Sequence, residues 1–166
     1  MYRRVTIELL TQLARDAMAI ASKYSRKHKT EFFFDPIVFA LLKERFGPAK
    51  WQVWLALLAS QKRVTRIDYS VGGNTPVVIE LACRTRGGEL MARQNGTELR
   101  KLIRRRKART RFLLLIDPTR HLAHKENTLK SCYEKWKPGK GNFLRLSVRV
   151  IYVRPDLTYH FMWKRK

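Results

Sequence analysis

The hydrophobic positions follow two periods in turn. Leu9, Leu10, Leu13, Met18 and Ile20 recur at helical spacing and predict a first helix over 5–23. Asp35-Pro36 reads as a cap followed by proline at the first helical position, opening a second helix that stops at Gly47-Pro48. Glu31-Phe-Phe-Phe before it reads as a short extended piece. A third helix is expected over 49–60, with Trp51, Val53, Trp54, Leu55, Leu57 and Leu58 on most of its circumference. The period then changes to two. Runs rich in Val, Ile and Tyr flank Gly72-Gly73-Asn74-Thr75, a turn that closes a hairpin from Arg66 to Arg84. A helix over 97–107 follows, with Leu99, Leu102 and Ile103 as a narrow apolar seam. Phe112-Leu-Leu-Leu-Ile116 is apolar on both faces, which suits a central or parallel strand. A helix over 126–136, a turn at 137–141 and strands alternating through Leu144–Tyr152 and Tyr159–Trp163 complete the chain. The order predicts an α/β fold with a mixed sheet in a single domain, 1–166: a helical part over 1–61, a core over 62–118, and a C-terminal helix and hairpin over 119–166.

Charge adds the first functional constraint. Lys and Arg number 36 against 13 Asp and Glu, a net charge of +23. Such a chain binds polyanions, with nucleic acid the first candidate and an anionic membrane surface the second. No apolar run approaches the ~20 residues of a membrane span, and the N-terminus carries no signal-peptide pattern. A cytoplasmic or nucleoid-associated location is expected. Cys83 and Cys132 are too few for a zinc ribbon or a disulfide framework. Arg100, Lys101, Arg104, Arg105, Arg106 and Lys107 crowd one short helix, where like charges three and four apart repel. A polyanion explains that density better than a solvated face does.

The hairpin carries the candidate chemistry. A short turn pairs Asp68 with Glu80 across the strands, and the period of two puts them on one face with Ser70, Ala82 and Arg84. Like charges opposed in this way destabilise a sheet. A cation between them is therefore expected, either a metal ion or an arginine, and Arg66 and Arg84 have the spacing to form cross-strand ion pairs.

An acidic residue on one hairpin strand, a glutamate on the next in Val77-Val-Ile-Glu-Leu-Ala-Cys-Arg84, then a helix and an apolar strand resemble the PD-(D/E)XK superfamily of restriction-endonuclease-like nucleases. The resemblance implies an αβββαβ core and metal-dependent cleavage of DNA phosphodiesters. It implies that Asp68 and Glu80 hold Mg²⁺ or Mn²⁺, with Glu44 as the acidic ligand from an upstream helix. The family's lysine falls on Ala82, which has no donor with which to position water. Three explanations stand side by side. The lysine was replaced so as to trap substrate; its task moved to Lys101 or Arg84; or the domain is a non-catalytic DNA- or RNA-binding protein. Arg84, Arg100, Lys101, Arg104 and Arg105 are the expected phosphate contacts. Cutting both strands would suit a homodimer or a larger complex. His121 and His124 have ligand-like spacing without a supporting constellation, Trp51 and Trp54 read as core, and Gln94 and Asn95 read as loop and cap.

Overall fold

The computed structural model describes residues 4–24, 31–47, 49–54, 66–72, 76–84, 92–104, 107–137 and 146–164. The first two elements are helices, α1 (Ile7–Ser22) and α2 (Glu31–Phe46). Thr6 opens α1 by accepting the Leu9 N–H on its hydroxyl at 3.3 Å. Gly47 closes α2, at φ 75° with its N–H on the Lys43 carbonyl at 3.1 Å. Helix α2 begins one turn earlier than Asp35-Pro36 suggests, so the extended piece expected over 31–35 is helical. Phe34, Val38, Leu41 and Leu42 make one buried stripe, and that stripe reaches back past Pro36. Asp35 does not cap the helix; its carboxylate and its carbonyl both accept from the Tyr69 hydroxyl.

The helix expected over 49–60 is corrected by β1 (Ala49–Trp54), which pairs antiparallel with β2 (Arg66–Val71) from Ala49↔Val71 to Trp54↔Arg66. A short run dense in Trp and Val satisfies either period, and the available strand partner decides it. Residues 55–60 lie outside the described residues. Next come β3 (Val77–Cys83), α3 (Ala92–Arg104), β4 (Thr110–Ile116), α4 (Glu126–Lys135), β5 (Ser147–Arg154) and β6 (Leu157–Lys164). Helix α3 starts before Thr97, so Gln94 and Asn95 are helical and not loop. His121 and His124 lie in a turn, with His124 at φ 64°, so their three-residue spacing does not fall on a helix.

The six strands form one sheet in chain order. β3, β4 and β5 are mutually parallel, and antiparallel hairpins flank them on both sides. The apolar run of β4 fits its place: Phe112, Leu114 and Ile116 pack towards α1 and α2, while Leu113 and Leu115 pack towards α3 and α4. The result is a three-layer α/β arrangement in which parallel strands are covered on both faces. At the C-terminal end of β4 the buried Asp117 carboxylate accepts from the backbone N–H groups of Thr119, His121 and Leu122 and from the Tyr152 hydroxyl, which fixes the turn that follows.

Helix α3 lies tight against the C-terminal end of α4. A Cβ built on Gly96 would meet Trp136 Nε1 at 2.0 Å, and Trp136 is itself packed on Trp163 with ring centroids 5.4 Å apart. Gly96→Ala should therefore lower stability by about 1–3 kcal/mol in urea denaturation, despite alanine's better helix propensity. A stabilised variant would mean that α3 does not approach Trp136 so closely.

Candidate functional site

Strands β2 and β3 pair through Val71↔Val77, Ser70↔Val78 and Tyr69↔Ile79. One step further along that register brings Asp68 level with Glu80. There the Leu81 N–H donates to Asp68 Oδ2 at 2.8 Å. The carboxylate thus takes a ladder amide and is pinned at the point where the hairpin opens. Glu80 is 1 % exposed and lies on the α3 side of the sheet. Its Oε1 accepts from Lys101 Nζ, and its Oε2 is buried with no hydrogen-bond partner among the described residues.

A third carboxylate arrives from α2. Glu31 begins that helix, and although the residue is largely exposed its carboxyl faces Asp68 and accepts from the Cys83 N–H. Among the described residues, Glu31, Asp68 and Glu80 thus share one nearby ammonium, Lys101. The titration directions follow. Burial, then Asp68, pushes Glu80 well above the usual carboxylate range, against the pull of Lys101. Burial raises Asp68 to about 6, opposed by Lys101 and the Leu81 N–H. Burial, Asp68 and Glu98 raise Glu31 to about 7. Burial alone would lower the Lys101 ammonium, but Glu80, Asp68 and Glu31 outweigh it and hold it above its ordinary value.

Two expected site residues are elsewhere. Glu44 is 13 positions along α2 from Glu31, about 20 Å at 1.5 Å per residue, and is exposed on another side of the helix. The carboxylate that α2 contributes is Glu31. Arg84 is 1 % exposed, so it is no phosphate contact. Its Nη2 donates to both Glu98 oxygens at 2.8 Å and lies 2.9 Å from the Tyr133 hydroxyl, which itself donates to Glu98 Oε2 at 2.6 Å. This buried triad ties the end of β3 to α3 and α4. It also means that Arg84, one of the two arginines expected to form cross-strand ion pairs on this hairpin face, is engaged by Glu98, and that the glutamate one turn before Lys101 is already engaged. Ala82 is buried 1 % exposed in the core that contains Leu99, Leu102 and Leu115. Arg100 and Lys107 are exposed and Arg104 is half-buried on the outer side of α3, while Arg105 lies outside the described residues. Cys83 faces the opposite core, towards α1 and α2.

Glu31, Glu98 and Tyr133 were not singled out as site residues in the sequence. The signal for Glu31 was its place four residues before Asp35 on the stripe that Phe34 and Val38 continue. For Glu98 it was the three-residue spacing to Lys101.

A divalent cation can be tested against this arrangement. Among the described residues no three His, Cys, Asp or Glu side chains are close enough to cage a metal unaided. Mg²⁺ does not need such a cage, because it keeps several waters and takes one or two carboxylates. The orphaned buried Glu80 Oε2 and the excess of carboxylates over ammonium fit that ligand chemistry, with Asp68 and Glu80 as direct ligands.

No family model matches the chain, and no curated protein matches it. Among solved structures it is similar to "Crystal structure of SSO0001", at 16% identity with a TM-score of 0.38, covering 96% of this chain. The chain spans 65% of that structure's length. No helix among the described residues is long and apolar enough to cross a membrane.

The carboxylate cluster has a measurable consequence for stability. A carboxyl whose pKa is raised by folding, as Glu31 is from 4.5 to about 7, binds its proton more tightly folded than unfolded. Its contribution therefore falls as pH rises through that window. In EDTA, Glu31→Gln should melt with the parent protein near pH 4.5 and increasingly above it towards pH 8. A difference in melting temperature independent of pH would contradict the repulsion.

Proposed function

We propose that this chain is a metal-dependent nuclease of the PD-(D/E)XK kind, acting on DNA in preference to RNA, in which Lys101 replaces the lysine missing at position 82. The observation that carries the reading is the convergence of Asp68, Glu80, Glu31 and Lys101 where β2 parts from β3. The order α2-β1-β2-β3-α3-β4 supports it, being the αβββαβ order the family resemblance implies. The basic outer side of α3 supports a polyanionic substrate.

The parts divide as follows. Asp68 and Glu80 hold Mg²⁺ or Mn²⁺, with Glu31 as the acidic group from the preceding helix. Bound there, the ion lowers the pKa of a water and screens charge on the phosphoryl oxygens. Asp68 is oriented by the Leu81 N–H, and Glu80 by the Lys101 ammonium. Because Lys101 stays protonated, it acts as a donor that orients the attacking water or a phosphate oxygen, and not as a general base. Ala82 is packed in the core, so its position has no open space for a lysine. Arg100 and Arg104 hold flanking phosphates, and affinity accordingly falls steeply with salt.

Cleavage of plasmid and single-stranded DNA in Mg²⁺ or Mn²⁺ tests the reading. The parent protein should cut. Asp68→Asn and Glu80→Gln should each reduce the rate at least about a hundredfold, and Lys101→Ala by about 10²–10⁴. Tight binding with no cutting of any nucleic acid would instead assign the chain to the non-catalytic binders.

A further inference from the structure

The head of α2 carries Phe32-Phe33-Phe34, and the three rings have different fates. Phe34 is fully buried in the core. Phe33 is half-buried and meets Tyr24 edge-to-face, with centroids 5.8 Å apart. Phe32 is 89 % exposed. On a helix successive residues turn by about 100°, so Phe32 stands about 100° from Glu31, about 60° from Asp35 and about 160° from Phe34. It thus lies beyond Asp35 on the flank that carries Glu31, at the outer rim of the carboxylate cluster and turned away from the core.

A phenyl ring in that place suits one kind of ligand. Among the described residues, Tyr24 and Met162 are the other exposed large hydrophobics, and neither neighbours Phe32 on the helix surface. Its neighbours there are Glu31, Asp35 and Pro36. Among the described residues this is one flat exposed ring beside the Tyr24–Phe33 contact, short of the contiguous apolar patch of a few hundred Å² that marks a protein partner. A nucleobase needs only one π-face, and stacking of this kind tolerates any base. Duplex bases have their faces covered by their neighbours, whereas an unpaired base has one open. Charge favours the same ligand: the chain is +23 overall, and the exposed Arg100 lies on the helix that supplies Lys101.

We propose that Phe32 is a stacking platform for an unpaired base next to the phosphate that a divalent cation on Asp68 and Glu80 would hold, so that the substrate is a strand with single-stranded character at that point. This rests on the nuclease reading for the location of the phosphate, and its test is read without cleavage. Fluorescence anisotropy in Ca²⁺ would compare a short labelled single strand with a blunt hairpin duplex. Phe32→Ala should weaken single-strand binding by about 5- to 100-fold while leaving duplex binding within about twofold, and Phe32→Trp should retain the single-strand affinity. Equal loss on both ligands, or loss on neither, overturns the proposal. So does a change in sedimentation coefficient on Phe32→Ala, which would assign the ring to contact between copies of the chain. If the parent protein binds single strands through Phe32 but cuts nothing, the enzyme reading fails alone. If it cuts and Phe32→Ala binds like the parent, only the stacking proposal fails.

Discussion

The ion pair between Lys101 and Glu80 is the interaction on which the site depends. It crosses from the outer side of α3 to a carboxylate buried in the sheet, and Glu31 and Asp68 compete for the same ammonium. One lysine cannot neutralise three carboxylates. In a protein with 36 basic residues such a shortage of positive charge among the described residues is local, and Arg84, buried at the end of β3, is turned towards Glu98 and Tyr133. Among the described residues the site is richer in carboxyl groups than in cations, within a cationic protein. That is the electrostatic pattern required to hold a metal cation and then to bring a phosphate to it.

The fold supplies this pattern by where its elements begin and end. Asp68 is reached where the β2–β3 ladder gives way to a side-chain bond from Leu81, and Glu31 is the first residue of its helix. Lys101 occupies the flank of α3 that overlooks Glu80. The rest of α3 is fixed from below by Leu99, Leu102 and Ile103, and at its start by Gly96 against Trp136. Glu31 lies at the margin of its helix, whereas Asp68 and Glu80 lie within β2 and β3, and Glu80 is buried.

Much of this was legible in the sequence. The short turn at Gly72-Gly73 and the alternation around it placed Asp68 opposite Glu80, and the all-apolar run of β4 announced a central or parallel strand. The parts that were not legible have physical causes. β1 was taken for a helix because a short Trp- and Val-rich run has no distinctive period until β2 lies beside it. Glu31 was not singled out because Asp35-Pro36 is a strong local start signal that left it outside the helix, and tertiary packing of Phe34 overrode it. Arg84 was read as a phosphate contact because the sequence does not reveal that α4 brings a tyrosine to it. Lys101 was visible as one substitute for the residue missing at 82, and only the packing of α3 on β3 distinguishes it from Arg84.

The most direct test of the account is paramagnetic broadening by Mn²⁺, followed residue by residue in ¹⁵N-resolved spectra. The Leu81 and Cys83 amides, which donate to Asp68 and Glu31, should broaden first at substoichiometric Mn²⁺ and should be spared in Asp68→Asn. Broadening confined to other surfaces, or unchanged at Leu81 and Cys83 when Asp68 is replaced, would show that these carboxylates are not a cation site, and the nuclease reading would fall with it.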